Sequence, residues 1–156
     1  MSLEKIKLPK NKVFLKLCSY CAYQERCLSE VELFLEKFEI AAYDKDEMIS
    51  DLVAQKFLDQ IRYAKSVARG KFYSKSWGRL KIRFYLKGKK IEDFQINKAL
   101  AEINSADYLD RCTKLVQKQK EKLAPKELDT FTMNQKIISS LLQKGYEYAI
   151  INEVLI

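Results

Sequence analysis

Leu80-Lys81-Ile82-Arg83-Phe84-Tyr85-Leu86-Lys87 is the stretch on which the fold class turns. Apolar and basic residues alternate along it with period two, the signature of a half-buried strand, and Lys87-Gly88-Lys89-Lys90 has the composition of a hairpin turn. A second segment, Gln135 to Lys144, occupies the equivalent place later in the chain and shows no alternation. It runs into the same Lys-Gly pair, Lys144-Gly145. One repeated unit does not take a strand in one copy and a helix in the next, so the stretch is expected to be helical. The helix is placed from Ser74 or Lys75 to Lys87, with Gly88 in the position of a left-handed cap.

The repeat extends outward from there. Phe57-Leu58-Asp59 is echoed by Tyr108-Leu109-Asp110, and Asp59 is placed to cap the helix that follows it. Ile96-Asn97-Lys98-Ala99-Leu100 is echoed by Ile151-Asn152-Glu153-Val154-Leu155, and Ile49-Ser50-Asp51-Leu52-Val53 fills the same slot earlier. Helical spacing of apolar residues recurs between these markers. The expectation is an all-α chain of three tandem three-helix repeats, over 11–56, 57–105 and 106–156, forming an elongated, curved array. Residues 1–10 read as a flexible arm ending near Pro9.

Bulk composition agrees with a helical array. Of 156 residues, 47% are hydrophobic and 32% charged, enough to bury a core and remain soluble, while four Gly and two Pro are scarce for a loop-rich β or α/β protein. No signal peptide is visible in Met1 to Lys16, and no window approaches 18 uncharged apolar residues. A cytoplasmic monomer without membrane contact is expected.

The charge is unevenly placed. Arg62, Lys65, Arg69, Lys71, Lys75, Arg79, Lys81, Arg83, Lys87, Lys89 and Lys90 stand in a stretch without a single Asp or Glu. Tyr63, Phe72, Tyr73, Trp77, Phe84 and Tyr85 are interleaved with them. A basic block in an otherwise mildly acidic chain marks a face that meets a polyanion. Lys75, Arg79, Arg83 and Lys87 recur every four residues and would form one ridge of a helix, with Trp77 buried behind it. Like charges at that spacing destabilise a helix by about 0.2–0.5 kcal/mol per pair, so an anionic partner would make the ridge worthwhile.

Catalytic chemistry finds no foothold. The chain has no His for a Ser or Cys triad and no glycine-rich phosphate loop. Cys18-x-x-Cys21 with Cys27 and Cys112 lacks both His and a second short pair, which speaks against zinc. Cys18 and Cys21 share a helix face with Leu15, Leu17 and Ala22 and read as small apolar side chains. A non-enzyme without cofactor or metal is expected.

The residues now in view resemble the RecX family, regulatory proteins that bind and modulate the bacterial recombinase RecA. The resemblance runs from about Cys18 to Ile156. It rests on Arg26-Cys27-x-x-Glu30-Val31 and Phe57-Leu58-Asp59-x-x-Arg62-Tyr63-Ala64 in the first part, and on Trp77-Gly78-Arg79-Leu80-Lys81-Ile82 with Leu86-Lys87-Gly88 in the middle. Leu142-Gln143-Lys144-Gly145-Tyr146, with Ile150 and Leu155, completes it. Cys27 departs from the Ser of many relatives, weakening a helix cap for which Ser29 is the nearby substitute. The resemblance implies a small helical repeat protein that lies along the groove of the RecA–DNA filament. There it would restrain strand exchange, ATP hydrolysis and co-protease activity in DNA repair and the SOS response. Contact with single- and double-stranded DNA would be weak and without sequence specificity.

Two other functions fit three-helix units. One is a DNA-binding protein, helix-turn-helix-like or non-specific, but base reading needs suitable side chains where a helix enters the major groove. The third helix of the middle unit begins Ile91-Glu92-Asp93, acidic where phosphates would lie. The other is a helical protein-interaction scaffold, whose partner binding would be insensitive to salt.

Overall fold

The computed structural model describes residues 4–156, and their regular structure is helical. The first trio is α1 (Lys10–Tyr23), α2 (Leu28–Leu35) and α3 (Ala42–Ala54). The second is α4 (Gln60–Lys75), α5 (Arg79–Gly88) and α6 (Asp93–Leu100), and the third is α7 (Ser105–Leu123), α8 (Thr130–Gln143) and α9 (Tyr148–Leu155). A 3-10 turn at Ala124–Lys126, with Pro125 inside it, joins α7 to the approach of α8. The disputed stretch is helical. Ile82 and Leu86 on α5 are fully buried, whereas Leu80 and Phe84 face solvent, so a helical face rather than alternation decides which apolar residues enter the core.

Caps set the starts. Asp59 accepts from the Arg62 amide at 2.9 Å, as expected of it. Asn104 and Asp129 do the same for α7 and α8. Tyr108-Leu109-Asp110 lies inside α7, not ahead of it, so its echo of Phe57-Leu58-Asp59 is one of letters only. The structural equivalent is Ile103-Asn104, a buried aliphatic followed by a cap, just as Leu58-Asp59 is.

Helix ends correct a second echo. Gly88 is the last residue of α5 and has no positive φ; the left-handed residue is Lys90, φ 60°. Lys90 and Gly145 (φ 94°) occupy the same position, as does Lys56 (φ 63°) after α3. At each, the next amide reaches back five residues: Ile91 to Leu86, Tyr146 to Leu141 and Phe57 to Leu52, at 3.1, 3.1 and 2.9 Å. The preceding amide closes a shorter bond, which together make the Schellman end. A Lys is tolerated there because these two bonds hold the chain in place.

Two cores result. Val13, Leu17, Cys21, Val31, Leu35, Met48 and Leu52 close the first unit on itself. Cys21 thus packs as an apolar residue, and Cys18 is half-buried beside it. The second and third units share one continuous core, and Cys27 belongs to it although it caps α2 of the first unit. Glu30 accepts from the Cys27 amide at 3.2 Å, completing the cap. Ser29 has another task, donating to the Lys89 carbonyl at 2.9 Å and tying the first unit to the second. Of the expected flexible arm, residues 1–3 lie outside the described residues and the following part is anchored at Ile6, which bridges to Phe38, its amide donating to the Lys37 carbonyl and its carbonyl accepting from the Glu39 amide.

Candidate nucleic-acid interface

The basic block occupies α4, α5 and the turn after α5, and most of its charges are already engaged. On α4, the Arg62 guanidinium donates to Glu25 of the first unit at 2.6 Å, while Lys65 and Arg69 flank Glu102 at 3.1 and 3.9 Å. Lys89 lies 3.8 Å from Glu30. Among the described residues, Lys75 and Lys90 are exposed and have no carboxylate within 4 Å.

The expected four-residue ridge does not form. α4 ends at Lys75 because Ser76 turns left-handed (φ 59°), and the Ser76 and Trp77 amides fold back to Phe72 and Lys71. Lys75 is therefore on a different helix from Arg79, Arg83 and Lys87. Those three carry the like-charge spacing, but each has a partner. Arg79 donates to Glu147 of the third unit at 2.9 Å, Arg83 donates to Asn97 at 2.7 Å, and Lys87 stands 3.4 Å from Asp93. Asp93 at the start of α6 thus sits against both Arg83 and Lys87 of α5 and offsets their charge.

Arg79 belongs to a closed network at the seam between the second and third units. Its amide donates to the Tyr108 hydroxyl at 3.1 Å, its guanidinium lies 3.9 Å from the centre of the Tyr108 ring, and the Tyr108 hydroxyl donates to Glu147. Burial, then the bond to Glu147, pushes the Tyr108 hydroxyl well above the ordinary tyrosine range, so it stays protonated as the donor. Phe72, Tyr108 and Tyr146 stack successively across the seam, 5.6 and 5.1 Å between ring centres. These are structural roles that spacing could not reveal, since Glu147 lies 68 residues from Arg79.

The aromatics divide as well. Tyr63 and Phe72 are buried, and Tyr73 donates to Asp107. Trp77 is half-buried rather than enclosed, edge-on to Tyr85. Lys71 and Lys81, neither with a carboxylate partner among the described residues, place their ammonium groups 4.6 and 4.4 Å from the Trp77 ring centre. Phe84 beside them is 81% exposed. What remains able to meet a polyanion is thus Lys71, Lys75, Lys81 and Lys90 with this aromatic group, in a middle unit (57–105) carrying twelve basic and four acidic residues. The first 56 residues carry nine basic and ten acidic.

No helix among the described residues is long and apolar enough to cross a membrane. Comparisons with known proteins fall on one family. Models described as the second and third three-helix domains of RecX match residues 59–100 and 106–155. A regulatory protein RecX of Clostridium botulinum (strain Eklund 17B / Type B) is 31% identical over 156 residues, covering 97% of this chain and 73% of the relative. One of Bacillus pumilus (strain SAFR-032) is 31% identical over 145 residues, and the chain spans 54% of its length. The crystal structure of RecX from Lactobacillus salivarius superposes with a TM-score of 0.87 at 25% identity, covering 94% of both chains. A second RecX crystal structure shares the fold, TM-score 0.82 at 21% identity over 93% of this chain and 72% of the other.

Proposed function

Because the chain belongs to the RecX family of regulatory proteins, we propose that it binds the filament that the recombinase RecA forms on DNA and restrains its activities. The restrained activities are strand exchange, ATP hydrolysis and co-protease action. The protein acts in the cytoplasm as a monomer, needs no cofactor, and catalyses no reaction itself. The observation that carries this reading is the confinement of the net charge to the middle unit, twelve basic against four acidic residues. A surface of that sign in a three-unit array suits a nucleoprotein partner, whose phosphates attract Lys without any base being read.

Salt dependence separates this from a scaffold that binds protein alone. The decisive experiment adds the protein to RecA filaments on single-stranded DNA and follows ATP hydrolysis. Hydrolysis should fall as the protein approaches stoichiometric amounts, and less so as salt rises. Unchanged hydrolysis at a stoichiometric amount would remove the reading.

A further inference from the structure

One hollow of the middle unit is lined by two lysines, of which Lys89 pairs with Glu30 and Lys81 has no carboxylate partner among the described residues. It measures about 470 Å³ and is lined by Trp77, Lys81, Phe84, Tyr85, Gly88 and Lys89, with no carboxylate. Gly88 leaves its wall open: nothing stands within 4 Å of where a Cβ would be. Lys71 and Lys81 extend over the Trp77 ring, and Lys71 also lies 5.0 Å from the Tyr85 ring centre. Phe84 presents its ring to solvent at 81% exposure, the most of any Phe in the described chain.

We infer that this hollow takes an unpaired base of single-stranded nucleic acid, stacked on Phe84, with the flanking phosphates met by Lys71 and Lys81. The inference rests on the proposed function for its nucleic-acid partner and assigns the contact to a place. Charge complementarity selects the occupant: two ammonium groups without carboxylate partners among the described residues, those of Lys71 and Lys81, border exposed ring surface. A nucleotide supplies a flat π face and an anion in every unit of its chain. An acidic peptide would satisfy the lysines and leave the rings uncovered. A duplex hides its base faces inside the stack, so the site favours single strands.

Trp77 is the only tryptophan, so the site reports on itself. The test titrates the whole protein, without recombinase, with an oligothymidylate of about twelve nucleotides, within the span of single-strand sites. A duplex of equal length and polyglutamate of equal charge run beside it. The oligothymidylate should quench Trp77 emission and bind more tightly than either control. Phe84→Ala, at an exposed position, should keep the helical circular dichroism spectrum and bind about five- to a hundred-fold more weakly, the worth of one stacked base. Equal binding by duplex or polyglutamate, wild-type affinity in Phe84→Ala, or no binding by the parent protein would each overturn the inference. If Phe84→Ala binds the oligothymidylate as the parent does while both restrain filament ATP hydrolysis, the stacking site falls and the filament reading stands. If the oligothymidylate binds as expected and neither protein alters hydrolysis, the reverse holds.

Discussion

Gly78 and Gly145 lie backbone against backbone. The Gly78 amide donates to the Lys144 carbonyl at 2.7 Å, the Leu80 amide donates to Gly145 at 2.9 Å, and a Cβ on Gly78 would stand 2.3 Å from the Gly145 carbonyl. The neighbour there is backbone, which cannot swing aside as a side chain does. This approach locks the second unit to the third and lets Phe72, Tyr108 and Tyr146 stack across one continuous core.

Gly78→Ala is expected to cost at least about 3 kcal/mol, the upper end for overpacking. Gly145→Ala should be at least as damaging, since its Cβ would meet Lys81 at 2.3 Å and its φ is positive. Gly70→Ala is the control: nothing lies within 4 Å, and it sits inside α4, so about 0.5–1 kcal/mol should be gained. Urea unfolding of the three variants checks the order; equal stability of Gly78→Ala and Gly70→Ala would refute the close approach.

Arg79→Ala should destabilise by about 2 kcal/mol, between the values for exposed and buried pairs. Its side chain is 29% exposed, and the change takes the cation from Glu147, leaving it the Tyr108 hydroxyl, while uncovering the Tyr108 ring. Lys75→Ala, from the same expected ridge, should move stability by less than about 0.5 kcal/mol. Urea midpoints for the pair distinguish a structural Arg79 from a free surface cation.

The three-unit plan was legible in the sequence because apolar spacing and caps such as Asp59 are local signals. What misled were letter echoes. Lys87-Gly88 looked like Lys144-Gly145, yet the Schellman geometry aligns Leu86 and Lys90 with Leu141 and Gly145. Lys56 and Lys90 hold that position once the back-reaching bonds form, at a cost of about 1 kcal/mol each, so the glycine was a weak marker. The ridge failed for a similar reason. Spacing of four implies one helix only if nothing breaks it, and a left-handed Ser76 announces itself by no special residue. Which cations stay free was illegible altogether, because Glu25, Glu102 and Glu147 reach their partners from distant parts of the chain.

Lys90→Gly should therefore stabilise the protein by about 1 kcal/mol, relieving a left-handed side chain. Gly88→Ala should also stabilise, by about 0.5–1 kcal/mol, because Gly88 is helical with open space at its Cβ position. A left-handed Gly88 would give the opposite sign. Thermal unfolding of both variants decides the register.

Burial holds the Cys21 and Cys112 thiols up at about 11, above the ordinary thiol value. A group whose folded pKa is raised stabilises the fold while protonated, and that contribution is lost as the unfolded chain ionises first. Stability should accordingly be level through neutral pH on this account and decline between about pH 9 and 11. Urea midpoints at pH 8 and pH 10.5 test this, and replacing both cysteines by Ala should flatten the decline while lowering stability throughout.

Lys75 and Lys90 give the clearest view of what the basic unit does. Both are exposed and have no carboxylate partner among the described residues, and both can be neutralised without harm to the backbone, as Lys75→Ala and Lys90→Gly. If they reach strand phosphates in the filament, each should contribute about 0.7 to the slope of log affinity against log salt. The double variant should then bind filaments more weakly at low salt, converge with the parent at high salt, and show a slope shallower by about 1.4. Lys114→Ala on α7 is the comparison, because Lys114 is held 2.8 Å from Asp110 and lies in the nearly neutral third unit. It should leave the slope as it is. A double variant with the parent's affinity and slope would mean that these two lysines only solvate the middle unit. The surface that meets the filament would then have to lie elsewhere on the three units.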